Sequence, residues 1–256
     1  MQSGTSLIFD AHCHIGREHS RNHSIELSVD ELVKSMDRNS ISKAVICPIG
    51  KGLTVQIAKA NDEIANAVKK YPNRVVGFAG ANPWQEDEAV DDLEKAVRNL
   101  GLRGLKLHPD IQGFPASDEL AYPLVRRAGE LKVPVYVHSG TSPYSQPMEI
   151  GELAGACPET TIIMGHMGYD NYFCDAIPAA KQFKNLLLET SRNAQYWTIE
   201  DTVKSIGADR VIFGTDQPYS RAEVEIAAIN SLKLDSESRE KILGGNISRV
   251  LKEAPI

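Results

Sequence analysis

The stretch Leu7-Ile8-Phe9-Asp10-Ala11-His12-Cys13-His14 joins the pattern of a buried strand to a pair of metal-binding side chains. Its apolar first half is typical of a short strand, which we predict over residues 7–12. In an extended chain, residues two apart point to the same side, so His12 and His14 face one way and Cys13 faces the other. Two neutral imidazoles on one side can chelate a divalent cation. A His-x-His pair is weak evidence by itself, because core packing also explains such pairs.

Seven further stretches repeat the short apolar pattern, each bounded by glycine, proline or polar residues, as buried parallel strands are. They span residues 44–49, 74–80, 104–108, 133–138, 161–166, 186–190 and 211–215. Eight strands that alternate with helical segments imply a parallel sheet with right-handed crossovers. The count of eight with near-even spacing, and the lack of a glycine-rich phosphate loop after the first strand, favour a closed barrel over an open doubly wound sheet. We therefore predict an α/β fold, a (β/α)8 TIM barrel.

Amphipathic stretches between the strands predict the helices. Ser28 with Glu31 forms the pattern of a capping box, which opens a helix that ends near residue 39. Residues 86–100 place apolar side chains along one face, with acidic residues early and arginine late. After the eighth strand come helical stretches over 222–232 and 236–251, and we expect the second to close the bottom of the barrel or pack on its side. No linker-like tract divides the chain, so we expect one catalytic domain over residues 1–256.

The composition limits the class of protein. The 256 residues, of which 42% are hydrophobic, suffice for one substantial core, and single barrels commonly run to about 250 residues. The formal net charge of -6 argues against a nucleic-acid or anionic-membrane partner, since both require clustered Lys and Arg. The N-terminal residues lack the pattern of a signal peptide, and no apolar run approaches the ~20 residues of a membrane span. A cytoplasmic protein that acts on a small molecule is expected, and a homodimer is compatible with a barrel of this size.

Polar residues end most of the predicted strands. Five of the seven histidines lie at such C-terminal ends: His12, His14, His108, His138 and His166. Asp216 ends the eighth strand in the same way. In a barrel these ends meet at one mouth, where the active sites of this fold lie. A buried imidazole or carboxylate needs a partner, and one divalent cation would satisfy His12, His14, His138 and Asp216 together. The alternatives are His138 bonded to a backbone carbonyl and Asp216 capping the next helix.

Asp216 and His166 are the candidate catalytic residues. Asp216 could take the proton of a metal-bound water, whose pKa falls to about 7 on zinc. His166, in Gly165-His166-Met167-Gly168, either completes the metal shell or stays off the metal to polarise the substrate or move a proton. A catalytic metal must keep one position open, which favours the second role. Lys106 shares a strand face with His108 and either binds a substrate carboxylate or, once carbamylated, bridges two metal ions.

Loops that follow the strands supply further candidate substrate contacts. Arg192 is a candidate clamp for a substrate carboxylate, although a solvated loop arginine explains it equally well. Trp84, Tyr144 and Tyr219 follow strands three, five and eight and could line the pocket, but ordinary loop packing is at least as good an explanation for each. A small substrate that carries a carboxylate is therefore expected.

Four motifs, taken together and in order, resemble the amidohydrolase superfamily. They are Asp10-Ala11-His12-Cys13-His14, Gly104-Leu105-Lys106-Leu107-His108-Pro109, Gly165-His166-Met167-Gly168 and Phe213-Gly214-Thr215-Asp216, followed by a closing Gly244-Gly245-Asn246-Ile247. They are most similar to the amidohydrolase-related branch, with its aminocarboxymuconate-semialdehyde decarboxylase-like enzymes and pyrone-dicarboxylate lactonases. The resemblance implies a (β/α)8 barrel with one divalent metal per chain, usually zinc and sometimes manganese. It further implies that His12, His14, His138 and Asp216 bind the metal and that His166 acts on the substrate.

Three functions can be drawn from this site. The leading hypothesis is a metal-dependent hydrolase of an ester, lactone or amide, in which Asp216 accepts a proton from metal-bound water and His166 stabilises charge on the attacked carbonyl oxygen. The alternative is a lyase that decarboxylates an unsaturated or aromatic acid without oxidation at the same metal. A regulatory or scaffold protein without activity is disfavoured, because the full set of ligands is present. The ligands alone do not choose between the first two functions.

Overall fold

Short strands alternate with helices in the computed structural model, which describes residues 8–20 and 23–252. The strands are β1 (Ile8–His14), β2 (Gly16–Ser20), β3 (His23–Leu27), β4 (Ile41–Cys47), β5 (Val75–Gly77), β6 (Ala79–Gly80), β7 (Leu105–Leu107), β8 (Val135–Val137), β9 (Ile162–Met164), β10 (Leu186–Glu189) and β11 (Val211–Ile212). The α-helices are α1 (Val29–Arg38), α2 (Ile57–Lys70), α3 (Asp87–Arg98), α4 (Pro109–Gln112), α5 (Tyr122–Glu130), α6 (Pro147–Ala156), α7 (Tyr169–Gln182), α8 (Trp197–Ile206), α9 (Ala222–Ser231), α10 (Ser236–Glu240) and α11 (Asn246–Lys252). Leu7, predicted to begin the first strand, lies outside the described residues, as does the N-terminal stretch before it.

Eight parallel strand positions close into a barrel. β4 pairs with β1 and β5, and a second run of pairing joins β6 to β11 in chain order. β5 and β6 are two parts of one strand on either side of Phe78, so they connect the two runs. The circle closes where Ala11 N donates to Phe213 O at 3.0 Å and Asp216 N donates to His12 O at 2.7 Å. The predicted (β/α)8 barrel is confirmed.

The alternation of side chains along each strand builds two apolar layers. In β8, Val135 and Val137 join the cluster that packs against the surrounding helices, whereas Tyr136 between them joins a cluster inside the barrel. The inner cluster also contains Ile247 and Val250 of α11. Hence the C-terminal helix closes the bottom of the barrel, which leaves the opposite end of the strands as the mouth.

The observed bounds of the strands differ from the predicted ones by up to three residues, and two of these differences follow from hydrogen bonding. The second barrel strand, predicted over 44–49, begins earlier because Ile41 pairs with Ile8 of β1, and it ends at Cys47 because Pro48 has no N–H to donate. The eighth, predicted over 211–215, loses its regular pairing after residue 212 because Phe213 N donates to a carbonyl of the C-terminal segment, at 3.0 Å. Both differences lie at strand ends.

The last predicted helix, over 236–251, is not continuous. It is divided into α10, a π-helical turn over Lys241–Gly245 and α11. The carbonyl of Ile242 accepts the N–H of Phe213, and two glycines follow within the same turn. A carbonyl used outside the helix and a glycine pair are both known causes of such irregular turns.

A hairpin that the sequence did not predict stands beside the mouth. β2 and β3 pair antiparallel, with Gly16 opposite Leu27 and Glu18 opposite Ile25. Gly16 has a φ of 114°, a conformation that glycine adopts readily, and it turns the chain out of β1. The predicted capping box then starts α1 after the hairpin. Among the described residues, no helix combines the length and apolar character that crossing a bilayer requires.

Candidate metal centre

The C-terminal ends of the strands bring three of the predicted metal-binding side chains together, His12, His14 and Asp216, and place the fourth, His138, beside His166. His12 and His14 present their Nε2 atoms 2.9 Å apart. Asp216 Oδ1 lies 3.3 Å from Nε2 of His14 and 3.5 Å from Nε2 of His12. Across the mouth, Nδ1 of His138 lies 3.1 Å from Nε2 of His166. Ligand atoms of His12, His166 and Asp216 fall within 4.8 Å of one another, so a single ion could contact several of these side chains.

Burial keeps three imidazoles of this cluster neutral: those of His12, His138 and His166. It lowers the pKa of His12 and of His138 well below the usual value, and neighbouring cations and imidazoles lower both further. Burial likewise lowers the pKa of His166 to about 4. Burial opposes the ionisation of Asp216, but its hydrogen bond with His14 and the neighbouring positive charges outweigh this and bring its pKa to about 2. Near neutral pH the cluster therefore offers uncharged nitrogen lone pairs and one carboxylate.

This set of donors fits a divalent cation. Nε2 of His138 is buried and has no hydrogen-bond partner among the residues that the structure describes. A buried imidazole nitrogen without a partner is costly, so the arrangement needs an additional group. Neutral imidazoles together with a carboxylate are common ligands of first-row divalent metals. The protein thus provides both the charge and the lone pairs that such an ion requires.

A buried hydrogen-bond network that was not predicted from the sequence lies behind the histidines. Tyr136 Oη donates to Glu189 Oε2 at 2.5 Å and lies 2.6 Å from Nδ1 of His12. Glu189 Oε2 also accepts from Ser191 Oγ at 2.9 Å, and this hydroxyl lies 3.0 Å from Nδ1 of His166. Burial raises the pKa of Glu189 to about 7. One carboxylate therefore holds two rings through their Nδ1 atoms, which leaves both Nε2 atoms for the centre of the cluster.

A second buried carboxylate fastens the two strands that carry the ligands. Asp10 accepts hydrogen bonds from the backbone of His12 at 3.0 Å and of Thr215 at 2.9 Å. It also accepts from Oγ1 of Thr215 at 2.5 Å and from Sγ of Cys13 at 3.0 Å. Burial raises its pKa to about 6. Asp10 thereby fixes the position of the first strand against the segment that leads to Asp216.

The backbone around the mouth is strained at several residues other than glycine. Positive φ angles occur at His166 (61°), Met167 (49°), Tyr169 (54°), Arg192 (54°) and Asp216 (56°). Each such conformation costs of order 1–3 kcal/mol and persists only where the surroundings enforce it. Strain of this kind concentrates at functional sites, and here it occurs at three candidate functional residues of the mouth: His166, Arg192 and Asp216.

A cavity of about 200 Å³ opens over the histidine cluster. Its walls include His14, His108, His138, Arg192, Asp216 and Tyr219. The rings of His108 and His138 stack at 3.8 Å between centroids with an angle of 12°. Arg192 Nη1 lies 3.3 Å from Oδ2 of Asp216, and its guanidinium group packs 5.1 Å from the ring centre of Tyr169. Of the residues predicted to contact the substrate, His108, Arg192 and Tyr219 line this cavity.

The other predicted substrate contacts lie elsewhere. Lys106 is fully buried beneath the cluster, with Nζ 3.1 Å from Nε2 of His12 and 4.0 Å from the ring centre of Tyr136, and burial lowers its pKa to about 8. Trp84 is 59% exposed and donates its indole N–H to a backbone carbonyl of α4 at 2.9 Å. Tyr144 lies in the loop between β8 and α6. Of the described residues that line the cavity, none is Lys106, Trp84 or Tyr144.

A family model described as amidohydrolase matches residues 49–252. The chain belongs to the amidohydrolase family. This amidohydrolase is 27% identical over 250 residues to gamma-resorcylate decarboxylase of Polaromonas sp. (strain JS666), covering 76% of this chain and 75% of that enzyme. It is 24% identical over 228 residues to 2-amino-3-carboxymuconate-6-semialdehyde decarboxylase of Dictyostelium discoideum, covering 73% of this chain and 63% of that one. A crystal structure of dihydroxybenzoic acid decarboxylase from Polaromonas sp. JS666, with bound manganese and the inhibitor 2-nitroresorcinol, is similar with a TM-score of 0.78 at 21% identity, over 98% of both chains.

These comparisons correct two expectations. The hydrolase hypothesis is wrong, because the relatives of this amidohydrolase are decarboxylases. The ligands that led to it serve cleavage of C–C bonds as well as C–O and C–N bonds, so they could not reveal the error. The preference for zinc also finds no support, since the structural relative holds manganese. That the chain is an enzyme of the amidohydrolase superfamily with a TIM barrel is confirmed.

Proposed function

We propose that this amidohydrolase is a manganese-dependent, non-oxidative decarboxylase of small phenolic carboxylic acids. The observation that carries the proposal is the mouth cavity, where Arg192 and Asp216 face the histidine cluster in a chain whose relatives are decarboxylases. The residues that would hold the cation are His12, His14, His138 and Asp216. The bound cation supplies positive charge that stabilises negative charge on the oxygen atoms of the substrate. Manganese is the ion of the structural relative and suits ligands that include a carboxylate.

The size and chemistry of the cavity suit a small aromatic acid. Its volume of about 200 Å³ is below the roughly 300–1,000 Å³ of pockets that bind drug-sized ligands. Arg192 presents a planar fork of N–H donors that matches the geometry of a carboxylate. The stacked rings of His108 and His138 offer aromatic surface against which a benzene ring can pack. Gamma-resorcylate, the substrate that names one relative, has both a carboxylate and phenolic hydroxyls.

The reaction replaces a C–C bond with a C–H bond and requires no oxidant. The carboxylate leaves as carbon dioxide, the bonding electron pair stays on the ring carbon, and that carbon gains one proton. Asp216 lies in the cavity wall and is ionised when the substrate arrives, since its pKa is about 2. It must therefore first take a proton, and a phenolic hydroxyl of the substrate is the nearby acid. Asp216 then delivers this proton to the ring carbon, and the phenolate product regains a proton from water.

The test is a decarboxylation assay in deuterium oxide with the manganese-loaded protein and 2,6-dihydroxybenzoate. We expect one carbon dioxide for each resorcinol formed, with one deuterium at the carbon that carried the carboxylate. Asp216→Asn should lower kcat at least about 100-fold, as the loss of a proton-transferring group does. Resorcinol incubated with the protein controls for deuterium exchange after the reaction. If no hydroxybenzoate releases carbon dioxide from protein that contains manganese, the proposed function is wrong.

A further inference from the structure

A carboxylate from the hairpin enters the mouth cavity. Glu18 lies on β2 and lines the cavity, and its Oε2 accepts a hydrogen bond from Oη of Tyr219. Its Oε1 receives no hydrogen bond from the residues that the structure describes. A Cβ at Gly50 would lie 3.2–3.4 Å from the Glu18 side chain, so the missing side chain at Gly50 makes room for Glu18 at the cavity wall.

Tyr219 contacts this carboxylate and also lies near the cationic group of the cavity, Arg192. The ring of Tyr219 packs edge-on against His14 at 5.7 Å between centroids, and the guanidinium group of Arg192 lies 5.9 Å from the centre of the same ring. The hydroxyl of Tyr219 therefore holds Glu18, and its ring lies near Arg192. A substrate bound by Arg192 in this cavity would also lie beside Glu18.

One oxygen of the Glu18 carboxylate accepts from Tyr219, and the other, Oε1, has no donor among the described residues. A substrate that displaces water from Oε1 without offering a donor leaves that oxygen unsatisfied, which is costly. A substrate that offers a hydrogen-bond donor at this place removes the penalty, whereas one without a donor does not. The two charged side chains of the cavity act oppositely on the substrate, because Arg192 attracts its anionic group and Glu18 repels that group.

We propose that Glu18 determines substrate specificity, and that preferred substrates carry a hydroxyl or amino donor on the ring edge that faces the hairpin. This inference rests on the proposed function and names the substrate class more closely. The donor is additional to the carboxylate and to the phenol that supplies the proton.

The experiment compares matched pairs of acids on the manganese-loaded protein. Each pair is a 2-hydroxybenzoate with a second hydroxyl at one ring position and its counterpart with fluorine there, which has similar size but cannot donate a hydrogen bond. We expect at least about a tenfold preference in kcat/KM for the hydroxyl at one or more positions. Glu18→Ala should reduce this preference to within about threefold, mainly through KM, and Glu18→Gln should restore part of it through its amide oxygen.

The matched control is Glu26→Gln, which alters an exposed glutamate on the other strand of the same hairpin. It should leave the preference unchanged. Because the preference is a ratio within each variant, loss of folded protein does not affect it. A wild-type protein that treats both members of every pair alike, or a preference that survives Glu18→Ala, overturns the inference. If no acid is decarboxylated, the proposed function fails, and the ratio of dissociation constants for the same pairs then decides the role of Glu18.

Discussion

Two neighbouring imidazoles of the cluster have different surroundings. Nδ1 of His166 lies 3.1 Å from the backbone oxygen of Ser191 and 3.0 Å from its hydroxyl, so the protein holds this ring. His138 has a buried nitrogen without a partner among the described residues, and its other contacts are with two imidazoles. The ring that the protein satisfies least has most to gain from a metal. His138 is therefore the proposed ligand on the ground of its partnerless nitrogen, whereas Nδ1 of His166 is held much as Nδ1 of His12 is.

We predict that His138→Ala and His166→Ala affect metal content unequally. Loss of a ligand should remove at least about nine-tenths of the manganese, whereas loss of a neighbouring ring should leave most of it in place while kcat falls. Elemental analysis after gel filtration in metal-free buffer measures the content, and circular dichroism shows whether each variant is folded. Manganese retained by His138→Ala and lost from His166→Ala would reverse the assignment.

Substitution of Tyr136 tests whether the hydrogen-bond network behind the metal centre supports metal binding. Its hydroxyl lies 2.6 Å from Nδ1 of His12 and donates to Glu189. Tyr136→Phe removes this link without removing a proposed ligand, so we predict manganese affinity about 10–100-fold weaker, as loss of such supporting partners typically causes. Titration followed by electron paramagnetic resonance of free manganese measures the affinity. Tyr122→Phe, which removes a hydroxyl bound to the carbonyl of Ser117, is the control and should leave the affinity unchanged.

At the scale of single residues, the sequence could predict which side chains lie at the C-terminal ends of strands. It could not predict which side chains of different strands contact each other. Histidines and Asp216 follow apolar runs, and strand ends meet at the barrel mouth, so their proximity was predictable. The contact of Tyr136 with Glu189 depends on the register of β8 and β10, two strands that are not neighbours. Glu189 itself carried a signal, because it is a single acidic residue at the end of the apolar run 186–188.

Among the elements, β11 and the chain that follows it approach the neighbouring strands of the site closely. A Cβ at Gly214 would lie 2.3 Å from Oε1 of Glu189 and 2.9 Å from Cβ of His12. Only glycine lets the eighth strand position lie against the first and seventh at this level of the barrel.

We therefore predict that Gly214→Ala both destabilises the protein and weakens manganese binding. Overpacking of a buried contact typically costs about 1–3 kcal/mol, and here the shift also displaces the residue that holds His12 and His166. Urea unfolding and metal titration measure the two effects. Gly245→Ala is the control, because it is exposed and its Cβ would meet only backbone atoms of Glu240, the nearest at 3.4 Å. Equal behaviour of both variants would contradict the argument.

The strands that the sequence predicted are those with both faces buried. Strands buried on both faces read as apolar runs, and their positions were predicted to within a few residues. The hairpin was missed because Arg17, Glu18, His19 and Ser20 are consecutive polar residues, without the alternation that marks a half-buried strand. The pairing of β2 with β3, rather than an apolar face, defines the hairpin. The hairpin also carries Glu18, so no pattern in the sequence pointed to that residue.

For the whole molecule, closure of the barrel depends on pairs that are far apart in the chain. Asp10 contacts Thr215, and Ala11 contacts Phe213, across nearly the entire sequence. A local pattern does not show such pairs, but eight evenly spaced strands leave few other arrangements. The reaction could not be predicted in the same way, because one set of ligands serves several chemistries. The relatives, and not the ligands, correct the hydrolase hypothesis.

Buried titratable groups at the mouth couple the stability of the metal-free protein to pH. Burial lowers the pKa of four histidines, to about 4 in one case and well below the usual value in the others: His12, His108, His138 and His166. The unfolded chain protonates these rings below about pH 6.5, whereas the folded chain does not. Asp10 and Glu189 act oppositely, because burial raises their pKa to about 6 and about 7. The folded chain keeps their two protons, which the unfolded chain releases above about pH 4.5.

Between about pH 5 and 6.5 the four histidines bind more extra protons in the unfolded state than the two carboxylates hold in the folded state. The unfolded state therefore binds more protons in total, and stability rises with pH. We predict that the free energy of unfolding of the metal-free protein increases by at least about 1.4 kcal/mol per pH unit in this window, the value for a net difference of one proton. Urea unfolding at half-unit steps of pH measures the slope. His108→Gln removes one histidine without removing a proposed ligand and should lower the slope by about one proton. A slope that is flat or negative would mean that the carboxylates, and not the histidines, dominate the charge balance of the folded mouth.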